Sequence, residues 1–260
     1  MNIHYDTIGS GPSLILLHGF PANGSTWDPV KDALAKHFKL WIPDLPGAGR
    51  SPLPAAPLSI SLMAQSVAEM MDREQIEKAW VAGHSMGGYT ALELAHQMPE
   101  RIAGLSLIHS SAYADKEEKK ENRRKAIRLI EKGRDGQEMF LRGSAPNMFA
   151  DIFIEKRPEA LNDFVQLGME LPGRHLAAFY EAMIGREDRT EVLREANFPL
   201  QWIIGDEDKV IPKSDMLEQA MLSAAAHIAC YPGCGHLSMQ EMPERLQADL
   251  VYFGKYCFGV

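Results

Sequence analysis

The sequence predicts an α/β fold, a mostly parallel, doubly wound sheet with a helical cap inserted in it. Three observations carry this. Short apolar runs alternate with helical stretches through residues 1–112, joined by short links, as parallel strands with crossover helices require. The rhythm then stops: residues 113–189 contain no convincing buried strand and read as helices. It resumes over 190–260. Residues 1–112 and 190–260 are therefore read as the core, and 113–189 as the cap.

In order along the chain, Ile3 to Ile8 is an edge-strand candidate that ends in the turn residues Gly9-Ser10-Gly11-Pro12. Leu14-Ile15-Leu16-Leu17 is continuously apolar, as a strand covered on both faces should be. A helix is predicted from about Trp27 to Lys36, then a strand at Leu40-Trp41-Ile42 that breaks at Pro43. Gly47-Ala48-Gly49 is read as a loop: the third glycine of a dinucleotide fingerprint is missing, and Pro52 stands where a helix would begin. Ser59 or Ser61 caps a helix running to about Asp72. A strand at Ala79 to Ala82, a helix from Tyr89 to Gln97 and a strand at Leu105 to Ile108 complete the first half. Cap helices are predicted over Lys116–Lys132, Gln137–Leu141, Pro158–Glu170 and His175–Ile184. Then come a strand at Leu200–Ile204, a helix opened by Pro212, a strand at Ala226–Tyr231 and a closing helix from Pro243.

The composition narrows the function classes. The 260 residues carry a formal net charge of −8, which argues against a nucleic-acid binder or a basic membrane-surface protein. The N-terminal residues have neither the basic region nor the apolar run of a signal peptide, and no stretch approaches a membrane span. The three cysteines, Cys230, Cys234 and Cys257, are read as reduced, so a cytoplasmic location is expected. Cys230 and Cys234 with His227 and His236 do not reproduce a recognised zinc spacing, and no metal site is assigned. The expected partner is a small-molecule substrate. Whether the chain is a monomer or a homodimer is not legible.

Chemistry gathers at the carboxyl ends of parallel strands. Gly83-His84-Ser85-Met86-Gly87 lies between a strand and a helix, the context of a nucleophile elbow. A serine hydroxyl is a weak nucleophile. It needs a base to take its proton and an acid to orient that base. Ser85, Asp208 and His236 each follow a predicted strand, in the chain order that an elbow hydrolase uses.

With these motifs in view, the chain resembles the α/β-hydrolase superfamily over nearly its whole length. The matching stretches are His18-Gly19-Phe20-Pro21, Asp44-Leu45-Pro46-Gly47-Ala48-Gly49-Arg50-Ser51, Gly83-His84-Ser85-Met86-Gly87-Gly88, Gly205-Asp206-Glu207-Asp208 and Gly233-Cys234-Gly235-His236. Within the superfamily it looks like small, capped bacterial hydrolases of the esterase and enol-lactonase type, with a short N-terminus. The resemblance implies an α/β-hydrolase fold and a Ser85-His236-Asp208 triad. The family's acid stands three residues after the strand-ending glycine, which selects Asp208 over Asp206 and Glu207. It further implies an oxyanion hole made by the backbone N–H groups of Phe20 and Met86, with the His18 ring bracing the loop. No cofactor and no metal are implied.

The cap is expected to roof the site and select the substrate. Among its apolar side chains, Met148, Phe149, Phe153 and Phe179, with His18 from the core, are the pocket candidates. Ordinary packing of cap on core is the competing reading. Arg123 and Arg124 precede Ile127 by four and three residues, so one of them could face inward and meet a substrate carboxylate. Their highly charged neighbours favour a solvated face for both. The function expected is hydrolysis of a small carboxylic ester or lactone through an acyl-enzyme. Carbon–carbon bond hydrolysis, elimination or perhydrolysis by the same triad, and a non-catalytic receptor or regulator, are the alternatives.

Overall fold

The computed structural model describes residues 1–259. Seven strands form one sheet in the order β1-β3-β2-β4-β5-β6-β7. In chain order, β1 (Tyr5–Ile8) is an antiparallel edge against β3, and β2 (Ser13–Leu17) follows it. A short 3₁₀ turn and α1 (Asp28–Leu34) lead to β3 (Lys39–Pro43), and α2 (Ile60–Arg73) leads to β4 (Ala79–His84). Next are α3 (Met86–Gln97) and β5 (Ile102–Ile108). Six helices then run without a strand: α4 (Glu117–Ile130), α5 (Arg134–Ser144), α6 (Asp151–Lys156), α7 (Glu159–Met169), α8 (Gly173–Ile184) and α9 (Thr190–Glu195). The sheet is completed by β6 (Leu200–Gly205), α10 (Lys213–Ala220), β7 (Ala226–Tyr231), α11 (Ser238–Glu241) and α12 (Pro243–Phe258). All pairings except β1 with β3 are parallel.

The central strands are apolar because both their faces are covered. Every residue of β4, β5 and β6 is buried. The edge strand β7 is only partly covered. Helix α2 starts where Ser59 Oγ accepts the amide of Leu62 at 3.0 Å, so the first of the two serine candidates is the cap.

Several boundaries differ from the sequence reading. Strands β4 and β5 extend to His84 and back to Ile102, because the sheet pairs residues outside the purely apolar runs. Helices α6, α9 and α11 have six, six and four residues, too few to show a helical period. Cys230, Cys234 and Cys257 are free. Among the described residues no helix is long and apolar enough to cross a membrane.

Register places the site. Leu17 pairs with Gly83, and His84 pairs with Ile108. The residues just beyond, His18-Gly19-Phe20 and His109-Ser110, therefore flank Ser85 on either side.

Candidate active site

Ser85 sits between β4 and α3 with φ +50° and ψ −115°, a strained conformation for a residue with a side chain. The turn is kept by close backbone approach. A Cβ on Gly83 would lie 2.4 Å from the Gly87 carbonyl oxygen, and one on Gly87 would lie 2.3 Å from that of Leu17. The Ser85 amide donates to Ile108 O at 2.9 Å, and Ser110 Oγ donates to Ser85 O at 2.8 Å. The end of β5 and the residues just after it thus hold the strained residue, which is 9% exposed.

His236 follows β7 and is fully buried. Its Nδ1–H donates to Asp208 Oδ2 at 2.8 Å. Its Nε2 is buried and has no protein hydrogen-bond partner. Its amide donates to Met148 O at 3.1 Å, and its carbonyl accepts from His84 Nε2 at 2.8 Å. Around it, the Glu241 carboxylate accepts the amides of Gly235 at 2.9 Å, Ala150 at 3.0 Å and Leu237 at 3.1 Å.

Asp208 spends its other oxygen on the amides of Val210 and Ile211, at 2.8 and 2.9 Å. Burial opposes charge on this carboxyl, but the attraction of His236 and the hydrogen bonds from His109 and His236 outweigh it. They hold the group well below the usual carboxylate range. Asp206 instead accepts the Gly233 amide, and Glu207 is exposed.

His109 is the residue that sequence reasoning passed over. The loop after β5, His109-Ser110-Ser111, offers no carboxylate, yet it supplies an imidazole. His109 Nδ1 lies 3.2 Å from Asp208 Oδ2, and its backbone has φ +48°. The rings of His84, His109 and His236 stand 5.0 to 6.1 Å apart. Burial, then each other's proximity, pushes His84 well below the ordinary histidine range. Burial likewise lowers His109, with the Asp208 hydrogen bond opposing it. His109, Asp208 and His236 place ligand-type atoms within 4.8 Å of one another, a proximity that their hydrogen bonds account for.

His18 is fully buried, with Nδ1–H on Gly19 O at 2.9 Å and Nε2 accepting the Leu45 amide at 3.0 Å. Both ring nitrogens are used and the ring has no exposed surface, so His18 ties the Gly19 carbonyl to the Leu45 amide. Among the described residues, neither the Phe20 nor the Met86 amide is donated to a protein acceptor. The Met86 amide opens α3, where a helix N-terminus favours negative charge.

The pocket candidates separate. Phe179 meets the Phe20 ring edge-on at 6.1 Å, beside Tyr180, which stacks on Phe20 at 4.7 Å, and Phe140 at 6.2 Å. Phe149 and Phe153 stack on each other at 5.5 Å, and Phe149 also meets Phe164. Phe149 has no exposed surface, and its backbone lies against Gly235 in the loop that carries His236. Met148 is buried too and contributes its carbonyl. The solvated face expected on α4 holds for Arg124, which pairs with Glu117 and Glu121. It does not hold for Arg123, which turns inward to the buried Asp115 at 2.7 Å.

Residues 14–249 match the sequence model of the alpha/beta hydrolase family. A thermophilic esterase from Thermogutta terrifontis, solved with malate bound, superposes with a TM-score of 0.92 at 28% identity, covering 98% of this chain and 93% of that one. The enol-lactonase from Burkholderia xenovorans LB400 superposes with 0.87 at 25% identity, covering 96% and 95%. A pimeloyl-[acyl-carrier protein] methyl ester esterase from Nitrosomonas europaea is 26% identical over 94% of this chain and 96% of its own length. Several curated relatives of higher identity are matched over less than half of their own length, 29% to 43%.

Proposed function

Because the chain belongs to the alpha/beta hydrolase family, we propose that it is an enzyme that hydrolyses a small carboxylic ester or lactone, with Ser85 as nucleophile, His236 as base and Asp208 as acid. The observation that carries this reading is the pairing of a strained, nearly buried Ser85 with a His236 whose Nδ1 is committed to Asp208 and whose Nε2 is left unpartnered. A base held in this way has one tautomer, with its lone pair on Nε2.

In the first step Ser85 Oγ attacks the carbonyl carbon as its proton passes to His236 Nε2. The tetrahedral oxyanion lies between the amides of Phe20 and Met86, and the Asp208 charge stabilises the imidazolium. Collapse breaks the bond to the alcohol oxygen, which leaves with the proton from His236. Water then attacks the acyl-enzyme and gives a proton to His236; the bond to Ser85 Oγ breaks as His236 passes that proton to Ser85, and the acid is released. With a lactone the leaving alcohol stays tethered to the acyl chain. The esterase and the enol-lactonase among the similar structures support both substrate forms.

The test is turnover of short 4-nitrophenyl esters by wild type and Ser85→Ala. A loss of about 10³-fold or more in Ser85→Ala is expected. Equal rates in the two proteins would remove Ser85 from the mechanism.

A further inference from the structure

Asp115, on the segment leading into α4, has no exposed side-chain surface and is approached by two guanidinium groups. Arg123 Nε donates to its Oδ2 at 2.7 Å, and Arg186 Nη1 lies 2.8 Å from its Oδ1. The two arginines are 11% and 5% exposed. One enclosed carboxylate therefore faces two enclosed cations. Burial opposes charge on Asp115, yet the two arginines hold its carboxyl below its ordinary value, so one positive charge is left without a carboxylate. Enclosing an unbalanced charge is costly unless an anion completes the set.

The two arginines differ in how far their remaining nitrogens are used. Arg186 donates its two terminal nitrogens to the carbonyls of Met183 and Tyr113 and lies over the Tyr89 ring at 4.0 Å, leaving only its buried Nε without a partner. Arg123 has only the Nε bond, and neither of its terminal nitrogens is donated to a protein acceptor among the described residues. Its guanidinium lies 5.0 Å over the Tyr180 ring, and Tyr180 stacks at 4.7 Å on Phe20, the residue of the candidate oxyanion amide. Two ring contacts thus link the spare charge to the reacting centre. Tyr180 adds no counter-charge, because burial pushes its phenol up to about 12.

We infer that Arg123 binds a carboxylate carried by the substrate, so that the substrate class is anionic: a half-ester of a short dicarboxylic acid, or an ester or lactone with a carboxylate elsewhere. The inference rests on the hydrolase reading above and narrows its substrate. The carboxylate takes the two free nitrogens of Arg123 side by side, the geometry a guanidinium offers to a carboxylate. It also supplies the negative charge that the Asp115 cluster lacks.

The test compares three esters of one five-carbon acyl length: 4-nitrophenyl pentanoate, mono-4-nitrophenyl glutarate and 4-carboxyphenyl pentanoate. The second carries its carboxylate on the acyl part and the third on the alcohol part, so the preferred one identifies the source. Wild type is expected to prefer one of the two anionic esters. Arg123→Gln should lower kcat/KM for that ester by about 10- to 100-fold, the range for a charge-assisted hydrogen-bonded pair. Turnover of 4-nitrophenyl pentanoate should stay within about two-fold. Arg123→Lys should restore part of the loss, and Arg124→Gln should change neither. A wild type without preference for an anionic ester, or an equal loss on all three esters in Arg123→Gln, overturns the inference. If Arg123→Gln does not fold, glutarate inhibition decides: it should be competitive in wild type and weaker in Arg123→Lys, and no inhibition counts against the site. Turnover of the neutral ester without anion preference removes this inference alone. Absence of any turnover, with Ser85 unlabelled by a fluorophosphonate, removes the hydrolase reading itself.

Discussion

His109 Nδ1 lies 3.2 Å from Asp208 Oδ2, the same oxygen that accepts His236 Nδ1 at 2.8 Å. One carboxylate oxygen serves two imidazoles. Asp208 therefore divides its stabilisation between them, and His236 receives less than it would alone. In His109→Gly the +48° backbone is kept without strain and the second donor is gone. Asp208 Oδ2 then serves His236 alone, and the aim of the His236 ring changes with it. A change in kcat of about 3-fold or more, with KM little altered, is expected. An unchanged kcat would show that His109 only fills space.

The buried histidines should make the fold acid-sensitive above the carboxylate range. His18, His84 and His109 are all lowered, mainly by burial. A group lowered in the folded state binds fewer protons there than in the unfolded chain, so stability is lost as pH falls below the unfolded value, about 6.5. Each histidine contributes up to about 1.4 kcal/mol per pH unit in that window. Unfolding by denaturant at pH 7 and pH 5 should show a clear drop at pH 5. Equal stability at the two values would contradict this. Asp208 does not act in the window. Its lowered carboxyl contributes fully above about pH 4 and loses its contribution only as pH falls further, toward its folded-state value.

Gly87→Ala should fail structurally rather than catalytically. The added Cβ meets the Leu17 carbonyl oxygen at 2.3 Å and its carbon at 2.6 Å, and a strand backbone in mid-sheet cannot give way. A destabilisation of about 3 kcal/mol or more is expected, read as a fall in Tm or loss of soluble protein. A folded Gly87→Ala protein of wild-type Tm would show the elbow to be looser than drawn.

Glu241→Gln tests the clamp on the His236 loop. The carboxylate accepts three amides, from Ala150, Gly235 and Leu237. An amide side chain has only one acceptor oxygen, so part of the clamp opens and His236 is aimed less well. A fall in kcat on the order of 10-fold, with KM little changed, is expected. A KM effect alone would place Glu241 with the substrate instead.

The sheet was legible because its strands are buried on both faces, so Leu14–Leu17 stands out as an unbroken apolar run and Leu105–Ile108 as one interrupted only by Ser106. Ser85, Asp208 and His236 could be singled out from the sequence because each follows a strand and their order along the chain carries meaning. His109 was not. Its neighbours Ser110 and Ser111 read as an ordinary loop, and only the register of β5 with β6 carries its ring to Asp208. Arg123 was misplaced because its charged neighbours describe α4 as a whole, whereas one buried partner, Asp115, decides a single rotamer. The short helices α6, α9 and α11 were hidden because a helical period needs more residues than they have.

The amide of His236 is held by the carbonyl of Met148, which lies outside the strand scaffold, in the helical stretch between β5 and β6. Replacing residues 113–189 with the corresponding stretch of a relative would therefore also remove a support of the His236 loop. The graft would have to bring a carbonyl to the same spot, or the His236 amide would lose its partner. Transplants in this architecture should accordingly be cut so that Met148 to Ala150 stay with their own His236 loop.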